Sequence, residues 1–396
     1  MLKSLSFSNF YSFAAASELS FEVDRKPARS GYDLTLDDGS RLNKVLAVVG
    51  ANGSGKTQLL KPLAFLSWFL TESFLHAAPK DKLPFKAHAL HADEASQFEL
   101  NFMLGGEHYR YRLQANEQRV LHESLYRKTT RLFSYVFVRD YTGTGYVVRQ
   151  KGFGFPRALA EGIRGNASLL AAAHVHDVPA AAPLVEYFQR YAYNLAVTGR
   201  NHFDHGQVLG SAAFFQEHPP LQEQASQLLC ALDLGLAGVE LAELEAAASE
   251  DVELPHTLIV PMGVHQSGQR VFRLPFWDES SGTQAAYVLL RRLLPVLDQG
   301  GVAVIDEMDS DLHPHMLERF LDLFRFEHSN PHGAQLIFSC HTPEVLNLLA
   351  KHQVYVVEKQ ALESEAWRLD SVAGLRSDDN LYAKYQAGAL GGVPDI

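Results

Sequence analysis

The chain has 396 residues, is 46% hydrophobic and 20% charged, and carries a formal net charge of −11 at pH 7. This composition suits a globular protein with one large core or two lobes, and the charge excludes a general polyanion binder. Two distant cysteines, Cys230 and Cys340, exclude a disulfide framework and a C-x-x-C zinc pair.

Met1-Leu2-Lys3 runs into a strand pattern and not a signal-peptide apolar core. No segment approaches 18 uninterrupted apolar residues, so a soluble, reducing, cytoplasmic setting away from membranes is expected. Leu2 to Phe13 alternates as a half-buried strand, and Leu19 to Val23 is its expected partner. Gly31 to Arg41 reads as a turn around Asp37-Asp38-Gly39.

Val45 to Val49 is a buried-strand pattern, and Leu59 to Phe69 is helical. Between them lies Gly50-Ala51-Asn52-Gly53-Ser54-Gly55-Lys56-Thr57, followed by Gln58. Strand, G-x-x-x-x-G-K-[ST] and helix together specify a phosphate-binding loop. Its glycines let backbone N–H groups turn onto a phosphate, and the helix dipole favours the same anion. Lys56 can reach the β- and γ-phosphates, and Thr57 can hold Mg²⁺. Pro62 predicts a kink or a tight first turn in the helix.

Residues 97–164 carry eleven basic against six acidic side chains, a local +5 against −16 elsewhere. Gln97-Leu104, Glu107-Gln114, Arg119-Thr129, Leu132-Asp140 and Gly145-Arg149 read as strands, some joined at hairpin spacing. An antiparallel sheet follows, whose basic side chains could meet nucleic-acid phosphates or face solvent. From Pro156 to about Ala248 the pattern is helical, in Ala158-Gly162, Ala167-Ala173, Pro183-Leu195 and Leu221-Leu232. Sustained heptads are absent, which argues against a coiled-coil arm.

Thr257-Val264 and Val271-Leu274 read as strands and Thr283 to Leu297 as a helix. Ser281 and Gly282, ahead of it, would present a hydroxyl and bare N–H groups at a helix N-terminus, a second anion site; a plain serine cap is the alternative. Val302-Ala303-Val304-Ile305 is a buried strand that ends in Asp306-Glu307. Asp306 can join the Mg²⁺ shell, and Glu307 can polarise the attacking water. Phe338-Ser339-Cys340-His341 ends another strand with a histidine able to bond a γ-phosphate. Alternating strands and helices predict an α/β fold with a mostly parallel sheet. The tail from Leu381 to Ile396 is expected to be irregular.

Loop, signature, acid pair and histidine, in that order, resemble ABC-type ATPase heads. Asn9-Phe10-Tyr11-Ser12-Phe13 and Met308-Asp309-Ser310-Asp311-Leu312 are similar to the SMC-like branch, although His313-Pro314 stands where that branch closes with Asp. The signature reads Ser281-Gly282-Thr283-Gln284 where transporters carry Ser-Gly-Gly-Gln. The missing arm, Phe272 to Phe276 and the tail resemble compact AAA-annotated ATPases of anti-phage defence and abortive infection, similar to the ATPase part of overcoming-lysogenization-defect proteins.

That resemblance implies an ABC-type head with an inserted antiparallel sheet, a helical insertion and no long coiled coil. Lobe I would span 1–155, the insertion 156–255 and lobe II 256–396. It implies ATP and Mg²⁺ as cofactors and a homodimer sandwiching ATP, with Ser281, Gly282 and Thr283 acting on the partner's nucleotide. It also implies an effector partner, a nuclease or toxin, under the ATPase's control. A DNA-clamping repair or chromosome-maintenance ATPase is the alternative. The glutamine that such heads aim at Mg²⁺ has two candidates, Gln189 and Gln216. Arg200 and His205 match the R-x4-H spacing of small RNases, and His174, His176, His202 and His205 are candidate metal ligands.

Overall fold

A computed structural model describes residues 1–24, 27–196, 199–201, 203–232, 235–245, 257–310 and 312–393. Two large sheets organise it. The first is antiparallel with seven strands, in the order 146–150, 133–141, 120–128, 107–115, 96–104, 2–8 and 17–20. Its central strands lie where alternation and hairpin turns place them, to within two residues. The second runs 192–193, 302–305, 335–339, 45–49, 354–360 and 363–368. Its first five strands are parallel and the last is antiparallel.

Parallel strands covered on both faces read as continuous apolar runs, and Val45–Val49 is buried throughout. Successive residues on this strand face opposite cores. Leu46 and Val48 pack with Leu59, Leu63 and Phe102, between the phosphate-loop helix and the antiparallel sheet. Val45, Ala47 and Val49 pack with Leu290, Leu294 and Phe320, from helices Ser281–Gln299 and Pro314–Arg325. The phosphate loop thus hangs from a strand clamped on both sides. A third sheet, 238–245, 257–267 and 270–275, leads into helix Ser281–Gln299.

Several expectations need correction. The first strand stops at Ser8, because Asn9 and Tyr11 turn into left-handed backbone at φ 52° and 49°. Asn9 ties that turn down through its side chain, donating to His91 O and Glu94 O and accepting from His88 N–H. Short strands Asp33–Thr35 and Arg41–Asn43 flank the expected turn. Helix Lys56–Thr71 continues through Pro62. The helix expected over Pro183–Leu195 ends at Gln189, and Ala192–Tyr193 is an edge strand beside Ala303 and Val304. Gly238–Glu245 is strand, held by pairing to 257–264; residues 246–248 lie outside the described ones. The tail is irregular only in part: Leu381–Gln386 is helical, with Leu381 and Tyr385 buried, and 387–393 are turns and bends.

The helix expected at Ala167-Ala173 is Leu169–Val175. It is joined to the antiparallel sheet by charge. Glu123 and Arg139, both 0% exposed, pair at 3.3 Å. Glu123 also accepts from Ser168 Oγ and Leu169 N–H, and Arg139 donates to the carbonyls of Ile163, Arg164 and Ala167. Removing one partner of a buried pair strands the other charge. Arg139→Met is expected to cost about 3–5 kcal/mol in a urea titration. A midpoint equal to the parent's would show the pair to be dispensable.

Among the described residues the longest helix is Ser281–Gln299, with 19 residues, so no long coiled coil is built from them. None of their helices is long and apolar enough to cross a membrane.

Candidate functional site

The phosphate loop turns because its glycines have no side chain to place. A Cβ on Gly50 would lie 2.2 Å from Val357 O, and one on Gly55, at φ 112°, 2.6 Å from Ser364 Oγ. Either clash would push the loop off the strand that supports it. Lys56 folds back and donates to Gly50 O at 2.8 Å and Ala51 O at 3.1 Å. Burial holds its ammonium below the ordinary lysine value. Ser54 is buried and its carbonyl accepts from Ser364 Oγ at 2.6 Å. Gln58 accepts from the N–H of Ser12, linking the N-terminal turn to the helix start.

Strand ends deliver the rest. Asp306, 1% exposed, leaves strand Val302–Ile305 beside the loop. Its Oδ2 accepts from Thr57 Oγ1 at 2.7 Å and its Oδ1 from Ser339 Oγ at 2.5 Å. Asn194, just past the edge strand, clasps the Asp306 backbone: Nδ2 donates to its carbonyl at 2.9 Å, and Oδ1 accepts its N–H at 2.7 Å.

Glu307 follows with φ 48°, a left-handed conformation that is costly without a β-turn glycine. Its N–H donates to Ser339 Oγ at 2.7 Å. Its carboxylate takes Arg200 Nη1 and Ser310 Oγ on Oε2, and His341 Nε2 at 3.3 Å on Oε1. Burial raises its pKa, but hydrogen bonds and charge from His341 and Arg200 outweigh this and leave it below the ordinary value. Asp309 Oδ2 accepts the N–H groups of His341 and Thr342 and the Thr342 hydroxyl, fixing the turn that presents the imidazole. Asp311 of the same loop lies outside the described residues.

A cleft of about 330 Å³ results, lined by Asn52, Gly53, Gly55, Lys56, Thr57, Gln58, Glu307 and His341. The expected loop residues, acid and histidine are therefore together, with Ser54 buried behind and Asp306 bonded to Thr57. Ser281, Gly282 and Thr283 do not line this cleft. The cap of helix Ser281–Gln299 is Ser280, whose Oγ accepts the N–H of Thr283 at 3.1 Å and bonds the Thr283 hydroxyl at 2.8 Å. This corrects the reading of Ser281 as a possible cap. Ser280 is extended at φ −60°, ψ 150°, as a capping residue is, and Ser281 begins the helix, exposed. Thr283 is buried, its hydroxyl turned back onto the cap.

Neither candidate glutamine reaches the cleft: Gln189 is exposed at a helix C-terminus, and Gln216 bonds Glu243. The amide of Asn194 instead holds the Asp306 backbone. Asn194 carries no sign in the sequence, and Asp309 and Ser339 stand inside recognised stretches without a role assigned to them there. Ser339, a small hydroxyl residue at the end of an apolar strand, was the one readable signal. Arg200 is bonded to Glu307, whereas His205 opens helix His205–Glu217 behind its Asp204 cap, and His202 lies outside the described residues. The described residues bring no three or more His, Cys, Asp or Glu side chains together as a metal group. Much of the local positive charge is paired: Arg110 and Arg112 with Glu99, Arg127 with Glu107, Arg149 with Asp140.

A family model described as "AAA domain, putative AbiEii toxin, Type IV TA system" matches residues 45–347. No curated protein matches the chain. Among solved structures, the SMC head domain from Thermotoga maritima shares 17% identity at TM-score 0.45, over 93% of this chain and 98% of that one. An SmcHead bound to the C-winged helix domain of ScpA shares 14% at TM-score 0.47, over 93% and 97%. An Smc head with an extended coiled coil, bound to the C-terminal domain of ScpA derived from Pyrococcus furiosus, shares 13% at TM-score 0.41, over 93% and 96%. At these identities and scores the likeness carries no functional argument. The family model runs from the phosphate-loop strand past the site histidine, and on that match the chain belongs to this family of AAA domains.

Proposed function

We propose that the chain is an ABC-type ATPase head that hydrolyses ATP with Mg²⁺ as a nucleotide-sandwiched homodimer. The observation that carries this reading is the meeting of Thr57 with Asp306 and of Glu307 with His341 around one cleft. Lys56 and the loop N–H groups would hold the phosphates. The Thr57 hydroxyl and Asp306 carboxylate, 2.7 Å apart, are hard oxygen donors that fit Mg²⁺, with Asp306 reaching it through water. When bound, that ion neutralises charge developing on the phosphates. Glu307 would orient and deprotonate the attacking water, and His341 would bond the γ-phosphate.

Ser281 and Gly282 are left outside their own subunit's cleft, and the cap duty falls on Ser280. That supports their use on a partner's nucleotide. A head of this kind is a switch, so we assign the work to a separate effector, a nuclease or toxin, in cytoplasmic anti-phage defence. The division into 1–155, 156–255 and 256–396 belongs to this reading. The paired arginines of the antiparallel sheet weigh against a DNA clamp.

Two measurements test it. Lys56→Ala is expected to weaken ATP binding at least about tenfold in a titration, since the cation nearest the loop carbonyls is gone. Unchanged affinity would sink the phosphate-loop role. In the native host, a defined effector should co-purify differently with Glu307→Gln than with Lys56→Ala. Identical partners in both states would remove the switch and leave the ATPase.

A further inference from the structure

Glu307 lies on a wall between two spaces. One is the phosphate cleft, which Arg200 does not line. The other is a small rear cavity of about 40 Å³, lined by Arg200, Asn194, Ser310 and, from helix Ser281–Gln299, Val288, Leu289 and Arg292. Arg200 grips the Glu307 carboxylate from this rear side, with Ser310 on the same oxygen. With His341 on the other oxygen, three donors occupy the carboxylate, so little of it is left for a water.

We propose that Arg200 is a positioning residue that latches Glu307 toward the rear cavity in an unpaired subunit, and that engagement of the signature helix on a partner's nucleotide releases it. This rests on the ATPase reading above. Three observations support it. The Arg200 guanidinium is only 14% exposed, so its bond to the carboxylate is poorly screened. Its Nε is buried with no hydrogen-bond partner among the described residues, so Glu307 and Ser310 hold the group by one nitrogen only, a grip that can be given up. And Arg292, on the helix that Ser281 begins, faces the same cavity. Burial, then Arg291 and Arg200, lower its pKa to about 10, so the two guanidiniums repel. Arg292 donates to Gln207 at 2.7 Å, which fixes its charge beside the cavity that Arg200 and Glu307 share. A shift of this helix moves that charge, and the signature and the base are coupled through one arginine.

The test is steady-state ATPase at low protein concentration, on the full chain with Mg²⁺. Arg200→Gln should raise kcat about tenfold with KM unchanged. Its specific activity should depend less on protein concentration than the parent's. Arg200→Lys, which keeps the cation, should behave like the parent. Arg292→Gln, which only weakens the push, should give a smaller rise and serves if Arg200→Gln does not fold. A folded Arg200→Gln with unchanged or reduced kcat overturns the latch. Glu307→Gln separates the two ideas: if the parent hydrolyses ATP and that variant does not, the ATPase reading stands and Arg200 alone is judged. A parent without Mg²⁺-dependent hydrolysis overturns both.

Discussion

Glu307→Gln is expected to stop turnover while ATP stays bound. The amide keeps the volume and one acceptor oxygen, but it cannot take a proton from water. On the proposed reading most phosphate contacts would come from the loop and Lys56, which the substitution does not touch, and His341 would keep an acceptor in the amide oxygen. Loss should therefore appear in kcat, on the order of 10²-fold or more, and not in nucleotide affinity. The variant also loses the charge that holds Arg200, so a local rearrangement at Ser310 is expected without unfolding. Single-turnover hydrolysis and a binding titration separate the two quantities. Hydrolysis near the parent rate would show that Glu307 is not the base.

Ser281→Arg is expected to abolish activity in the pure protein, yet to be rescued by mixing. Ser281 is exposed at the start of its helix, so the substitution costs little stability. It places a long cation where a partner's phosphate would sit. In a head-to-tail dimer each composite site takes Lys56 from one chain and Ser281 from the other. Mixing Lys56→Ala chains with Ser281→Arg chains concentrates both lesions in one site and leaves the second intact. Part of the ATPase should return once subunit exchange is shown by a labelled-chain control. A pure Ser281→Arg protein with normal ATPase would leave that helix start without a role in hydrolysis, and the sandwich with it.

Much of the site could be read in advance because its signals are local. The glycine spacing before Lys56-Thr57 can hardly serve another structure between a buried strand and a helix. Val302 to Ile305 is apolar enough to be a covered parallel strand, so Asp306 had to stand at its end. The hairpins from 96 to 150 showed themselves through alternation and turn residues. What was misread was through-space. Ala192–Tyr193 has two residues, too few for any period, and it is a strand only because Ala303 and Val304 offer it an edge. Asn194 acts on Asp306 across 112 positions of chain, where no spacing rule reaches. Nothing in the sequence chose between Gln189 and Gln216, and neither reaches the cleft, whereas Asn194, placed by that edge strand, holds the Asp306 backbone.

The same division holds for Ser280 and Ser281, and for Arg200. Either serine could cap a helix, and only the backbone angle at Ser280 assigns the cap and leaves Ser281 exposed. Arg200 matched a spacing with His205, but an ion pair is chosen by distance in space, and the fold sets it against Glu307. Residue type and short-range period decided, from the chain alone, the phosphate loop, the acid pair, the α/β alternation and the antiparallel sheet. Packing decided which charges face each other, because Coulomb and hydrogen-bond energies depend on separations of a few ångströms that no sequence interval records.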